Sequence, residues 1–355
     1  MHTILPHMLK LGSYEAGIRP QNVREVIKLN QNENPYPPSP QVRGVLSKAN
    51  WQELRCYPDP QMEELREGLA EVYRVRKERI FCGSGSSEII SLLFTVCVGH
   101  ERRIAIPDPS FSLYASVAAV HQAECVKIPT RDDFSVDVDG LLECGAHAVM
   151  LVNPNNPTGV QLPLAEVERL VKHVKGLVVV DEAYIDFAES GSSAIPLIDQ
   201  YEHVIVLRTF SKSYALSGAR VGYAFANETL IAALEKAKHL YNINVLSQRL
   251  ALAALSDQEY MKWRAALIRR NREWLSSQLR QLDFHVVPSQ ANFILCSPPP
   301  EGPYDARALY QKLMDRNLFV RYFEEPRLRG YVRISIGTDE QMKCTMDVIQ
   351  DLFGE

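Results

Sequence analysis

Between about residues 80 and 225, short apolar runs alternate with longer stretches whose apolar positions recur every three to four residues. The short runs, rich in Val, Ile and Leu, lie at 103–106, 125–128, 148–152, 177–180, 204–207 and 221–225. Runs of this kind suit strands covered on both faces. The stretches at 86–98, 111–120, 164–174 and 228–239 carry helical spacing. Strands alternating with helices predict βαβ units and a largely parallel sheet.

The pattern changes near residue 244. A long helical stretch runs to 283, followed by a strand-like run at 291–296, a helical one at 306–316 and a strand-like one at 331–336. This predicts a smaller α+β domain over 245–355 beside a large α/β domain over 30–244. Residues 1–29 are polar and irregular and lead into Pro35, Pro37, Pro38 and Pro40, so they read as an arm that packs with the small domain.

Composition narrows the class. The 355 residues are 46% hydrophobic and 23% charged, which is ordinary for globular chains. Thirty-nine Lys and Arg against 43 Asp and Glu give a net charge of −4 without long single-sign runs, so neither nucleic acid nor a membrane surface is an expected partner. Seven scattered cysteines contain no Cys-x-x-Cys pair, and the nine histidines form no short-spaced ligand pair. A disulfide framework and a metal site are therefore not expected. No run approaches the ~18 apolar residues of a membrane span, and residues 1–11 lack a basic segment followed by an apolar one. The expectation is a soluble, cytoplasmic protein.

Ligands of open α/β sheets bind at the carboxyl ends of strands, which directs attention to the polar residues just after each run. Gly83-Ser84-Gly85-Ser86-Ser87-Glu88 ends one strand and opens a helix. Glycines and helix-start N–H groups can cradle a phosphate, although alone the segment also reads as a turn with a serine N-cap. Asn153-Pro154-Asn155-Asn156-Pro157-Thr158-Gly159 follows the run at 148–152, and Asp181-Glu182-Ala183-Tyr184 follows that at 177–180. A carboxylate continuing a doubly covered strand is costly unless a cation or strong donors meet it, with helix capping as the plainer alternative. Ser211-Lys212-Ser213 follows the run at 204–207, and Arg220 comes eight residues later. A single lysine is ordinarily solvated, but these two cations can surround one anion.

Cradle, Asn, Asp with Tyr, and Lys with Arg occur in that order along one sheet. Pyridoxal phosphate catalysis needs all of them together: a lysine amine, a carboxylate for the pyridine nitrogen, donors for the phenolate oxygen and a phosphate cradle.

With Asn30-Gln31-Asn32-Glu33-Asn34-Pro35, Tyr57-Pro58-Asp59, Gly218-Ala219-Arg220-Val221-Gly222-Tyr223 and Val332-Arg333-Ile334-Ser335-Ile336-Gly337 added, nearly the whole chain resembles fold-type I, class-II-like aminotransferases, and among them the histidinol-phosphate aminotransferases. The resemblance implies a mostly parallel seven-stranded sheet covered by helices in the large domain, and pyridoxal 5'-phosphate as cofactor. It implies that Lys212 is the Schiff-base lysine, that Asp181 pairs with the ring nitrogen and that Asn156 and Tyr184 hold the ring oxygen. Gly85, Ser86, Ser87, Ser211 and Arg220 would hold the cofactor phosphate, with Tyr114 stacked on the ring and Tyr57 reaching in from the second subunit of a homodimer with composite sites.

On the substrate side the resemblance implies Arg333 and Asn32. Arg321 is a candidate second cation for a phosphate, and Tyr14 of the arm a candidate to close over it. The implied reaction is ping-pong transamination of L-histidinol phosphate with 2-oxoglutarate, giving imidazole acetol phosphate and glutamate in histidine biosynthesis. An aromatic amino acid aminotransferase and a threonine-phosphate decarboxylase are rivals on the same scaffold. A non-catalytic cofactor-binding regulator is a remoter one, since the chain has no added basic module.

Overall fold

The computed structural model describes residues 3–12, 17–18, 20, 26–48 and 50–354. Seven strands form the large sheet: β2 (Ile80–Gly83), β3 (Arg103–Asp108), β4 (Glu124–Pro129), β5 (Ala148–Val152), β6 (Leu177–Asp181), β7 (Val204–Thr209) and β8 (Gly222–Ala226). Their spatial order is β2-β8-β7-β6-β5-β3-β4, with only β8 running against the others. The apolar runs account for this order: β5, β7 and β8 are buried at every position. Val179, Ile205 and Leu207 enter the core on one face, and Val178, Val180, Val204 and Val206 enter that on the other. A fully buried side chain of this kind contributes about 1.5–3 kcal/mol.

Strand β1 (Ile27–Lys28) lies near the start of the chain and pairs in parallel with β11 (Leu318–Phe319). A second, antiparallel sheet contains β9 (His285–Val286), β10 (Phe293–Ser297), β12 (Arg321–Tyr322) and β13 (Val332–Ser335) in the order β12-β13-β10-β9. Helices Gln258–Gln281, Ala306–Asp315 and Asp339–Phe353 pack around it through Ile268, Leu309, Leu313 and Ile349. The last helix starts from a reciprocal cap between Thr338 and Gln341.

The helical stretch expected from 244 to 283 is broken into Val245–Leu255 and Gln258–Gln281. Asp257 causes the break: its side chain accepts from the Tyr260 amide as the cap of the second helix and also from Ser39 Oγ. The first of the two helices buries Ala251, Ala254 and Leu255 with Val42 and Met62, in the core on the large-sheet side. No helix among the described residues is long and apolar enough to cross a membrane.

Candidate active site

A cavity of about 580 Å³ opens over the carboxyl ends of the parallel strands, with residues 30–33 and the β12–β13 edge as its opposite wall. The strand-end rule thus locates it, because backbone groups and helix starts there have no partner within the sheet.

At one end, β2 finishes at Gly83, opposite Gly222 of β8. Gly85 has φ +78°, the left-handed region that suits glycine. A Cβ on Gly85 would collide with the Arg220 guanidinium, and one on Gly222 with the backbone nitrogen of Ser86. Helix Ser86–Leu93 has no side-chain cap, so its first N–H groups lack partners within the helix. Arg220 donates to Ser211 Oγ at 3.2 Å and to the Ser217 carbonyl at 3.1 Å. Its own φ of +55° costs about 1–3 kcal/mol in a non-glycine residue, a strain that clusters at functional sites. Ser86, Ser87, Ser211 and Arg220 all line this end. The result is a narrow pocket of donors.

In the middle, Asp181 ends β6 with 2% of its surface exposed. Its carboxylate accepts from the Ala183 amide at 3.0 Å and from the Tyr114 hydroxyl at 2.9 Å. Burial nevertheless pushes its pKa up to about 6. Tyr184 Oη accepts from Asn32 Nδ2 at 3.2 Å and Asn156 Nδ2 at 3.4 Å, and Asn156 Oδ1 takes a 2.6 Å bond from Arg333. Lys212 Nζ donates to the carbonyls of Asn32 at 3.1 Å and Gln31 at 3.3 Å, and lies 5.6 Å from the Tyr184 ring centroid. Burial first, and then Arg333 and Arg220, bring its pKa down to about 8. A fraction of this amine is therefore neutral near pH 7.

The backbone of Lys212 is held from behind. Asn34 Nδ2 donates to the carbonyls of Lys212 and Ser213, at 3.0 and 3.1 Å. Ser213 Oγ donates to Asp186. Arg208 in turn ties Asp186 to the buried Glu182, at 3.0 and 2.9 Å.

At the far end, Arg333 is 7% exposed and donates to the Asn30 carbonyl at 3.0 Å. Arg321 lies opposite it in the β12–β13 ladder, and both line the cavity. Like charges directly opposite each other on a sheet are unfavourable, and the bonds from Arg333 to Asn156 and Asn30 help to hold the pair there.

Asn32 is buried beside Lys212 and Tyr184, accepting from Ser335 Oγ as well as from Lys212. The stacking role implied for Tyr114 does not fit its placement: the ring is fully buried, its hydroxyl faces Asp181, and Phe111 lines the cavity instead. Tyr57 is 81% exposed and stacks on Tyr241, with ring centroids 4.4 Å apart, away from this cavity. Tyr14 lies outside the described residues. Sequence reasoning missed Phe111 and Asp108, although both follow the strand-end rule at β3, and it missed Lys127, whose ammonium lies 3.5 Å from Asp108 at the outer rim. No group of acidic, His or Cys side chains among the described residues is placed to hold a metal ion.

Residues 24–349 match the family described as aminotransferase class I and II. The chain is 38% identical over 346 residues to a histidinol-phosphate aminotransferase of Clostridium botulinum (strain Okra / Type B1), covering 96% of each chain. It is 37% identical over 343 residues to histidinol-phosphate aminotransferase 1 of Trichormus variabilis, covering 97% of each. The crystal structure of histidinol-phosphate aminotransferase from Sinorhizobium meliloti in complex with pyridoxal-5'-phosphate superposes with a TM-score of 0.90 at 25% identity, covering 99% of both chains. A match of this extent makes the chain a member of the aminotransferase class I and II family, and its enzyme class that of an aminotransferase.

Proposed function

We propose that the protein uses pyridoxal 5'-phosphate to transfer the amino group of L-histidinol phosphate to 2-oxoglutarate, as a cytoplasmic enzyme of histidine biosynthesis. The donor set fits this cofactor. The close approach of Arg220 to Gly85 and of the Ser86 amide to Gly222, which a Cβ at either glycine would block, suits a phosphate group held by Ser86, Ser87, Ser211 and Arg220. The carboxylate of Asp181, its pKa raised by burial although Lys212 acts on it from a distance, suits a protonated ring nitrogen. Asn156 and Tyr184, bonded to each other at the cavity, would donate to the ring oxygen, and Phe111, which lines the cavity, is the candidate aromatic for the ring face in place of Tyr114.

When bound, the cofactor supplies a carbonyl for the amino group and a ring that accepts the electron pair released at the substrate carbon. Lys212 would hold the cofactor, and its amine, with a pKa near 8 and so a useful neutral fraction at working pH, would move the proton at the substrate carbon. Asp181 would hold a proton on the ring nitrogen. Asn34 and Asp186 keep the Lys212 backbone in place through the contacts described above.

The choice of a phosphorylated amine rests on one observation, the Arg321–Arg333 pair across β12 and β13. Two guanidinium groups at one wall match a dianionic phosphate, whereas a single carboxylate needs one. The relatives named for histidinol phosphate agree with this choice. The test is a coupled assay of histidinol phosphate against phenylalanine, with 2-oxoglutarate as acceptor. The reading expects a clear preference for histidinol phosphate; a preference for phenylalanine would replace it with the aromatic aminotransferase, and release of carbon dioxide from threonine phosphate with the decarboxylase.

A further inference from the structure

We propose that Arg327 is a positioning residue for substrate binding, a latch that fixes the cavity wall carrying Arg321. The segment from Arg321 to Leu328 contributes Arg321, Phe323, Glu325, Pro326, Leu328 and Arg327 itself to the cavity wall, so the double variant with Arg321 separates a latch from a direct contact. The segment belongs to the chain around the second sheet, yet the Arg327 guanidinium reaches across to the large sheet. There Nη1 donates to the carbonyls of Asp108 at 2.9 Å and Thr130 at 2.7 Å, and Nη2 to that of Arg131 at 2.9 Å. Asp108 ends β3, and Thr130 and Arg131 directly follow β4. One side chain thus gathers the carbonyls at the ends of two neighbouring strands, adding to the bonds that Asp108 already accepts from the Thr130 amide at 3.0 Å and Arg131 from the Phe134 amide at 3.0 Å.

A planar guanidinium with five fixed donors can serve three acceptors at once, and lysine cannot reproduce that fork. Beside it, Leu328 plugs a small buried cluster with Phe134, Val287 and Leu295, and the Arg327 guanidinium lies 5.7 Å from the Phe134 ring centroid. Latch and plug are adjacent residues, so the wall is pinned at one point, six residues from Arg321. Freed from that point, β12 keeps its two-residue pairing with β13 and the stacking of Tyr322 on Tyr310, while the chain beyond it loses its hydrogen bonds to the large sheet. Arg321 would then lose its fixed distance to the rest of the site.

This inference rests on the reading of Arg321 as a contact to the substrate anion. In the holoenzyme, Arg327→Met keeps the stem and removes the donors. It is expected to raise KM for histidinol phosphate about tenfold while kcat stays within about threefold, as for loss of uniform binding. In an Arg321→Ala background the same change should add less than about twofold, because a latch acting through Arg321 has nothing left to position. Amide exchange of residues 323–331 should accelerate. Arg327→Lys, the second variant should Arg327→Met not fold, should raise KM about threefold, keeping the charge but not the fork.

Unchanged KM, additive effects in the two backgrounds, or unchanged exchange at 323–331 would each overturn the latch. A wild type inactive toward histidinol phosphate would instead overturn the functional reading, and the exchange measurement would then decide the latch alone.

Discussion

The Tyr114 hydroxyl donates to Asp181 at 2.9 Å, at the end of a strand whose other residues are apolar. Together with the Ala183 amide it supplies two donors to a carboxylate that is 2% exposed. They do not offset burial, which holds the pKa at about 6 against a model-compound value of 3.8. The ionised group is therefore kept at a cost to folding, as expected of a site that awaits a cation.

The sign of that cost is testable. The folded pKa lies above the unfolded one, so the contribution of Asp181 to stability is present below about pH 4 and is lost as pH rises through about 6. A rise of two units corresponds to about 3 kcal/mol as an upper bound. Asp181→Asn should thus stabilise the cofactor-free protein at pH 7.5 in urea unfolding, with the gain vanishing near pH 4. Saturation with pyridoxal phosphate should stabilise wild type more than the variant. A variant less stable than wild type at pH 7.5 would contradict this account of the burial.

Lys212 provides a second pH signature. Its pKa of about 8 predicts that the cofactor-free protein reacts with an amine-directed reagent at this residue along a curve that rises through pH 8, not 10.5. Arg333→Gln removes the largest charge contribution and should shift the curve upward. Borohydride reduction of the cofactor-loaded enzyme should label Lys212 on peptide mapping. A label on another lysine would overturn the assignment.

Much of this arrangement is legible in the residues. The buried runs locate the strands because a doubly covered sheet needs apolar side chains on both faces, and the residues after them fall at the cavity because strand ends meet there. The resemblance implies Tyr114 as the stacking ring, and the residues alone do not say which of two aromatics three positions apart, Phe111 or Tyr114, lines the cavity. Arg327 carries no local signal at all: its acceptors are carbonyls, which any residue supplies, and they lie about 200 positions away. Long-range contacts to backbone leave no pattern in a single sequence.

The exposed, stacked position of Tyr57 suits a role in a second copy of the chain. We expect a homodimer in which Tyr57→Phe and Lys212→Ala chains, refolded together, form heterodimers with one site carrying neither change. Activity of the mixture should exceed that of either parent. Heterodimers with no recovered activity would show that Tyr57 does not serve the other subunit's site.

In the proposed function, Arg321 and Arg333 together read a phosphate. Arg321→Ala leaves a desolvated dianion short of one partner, which costs about 2–5 kcal/mol, whereas phenylalanine and glutamate can each use Arg333 alone. The most direct measurement is the ratio of kcat/KM for histidinol phosphate to that for phenylalanine, before and after Arg321→Ala. The account predicts a wild-type ratio well above one that falls by at least about thirtyfold in the variant. An unchanged ratio, or a wild type that favours phenylalanine, would contradict it.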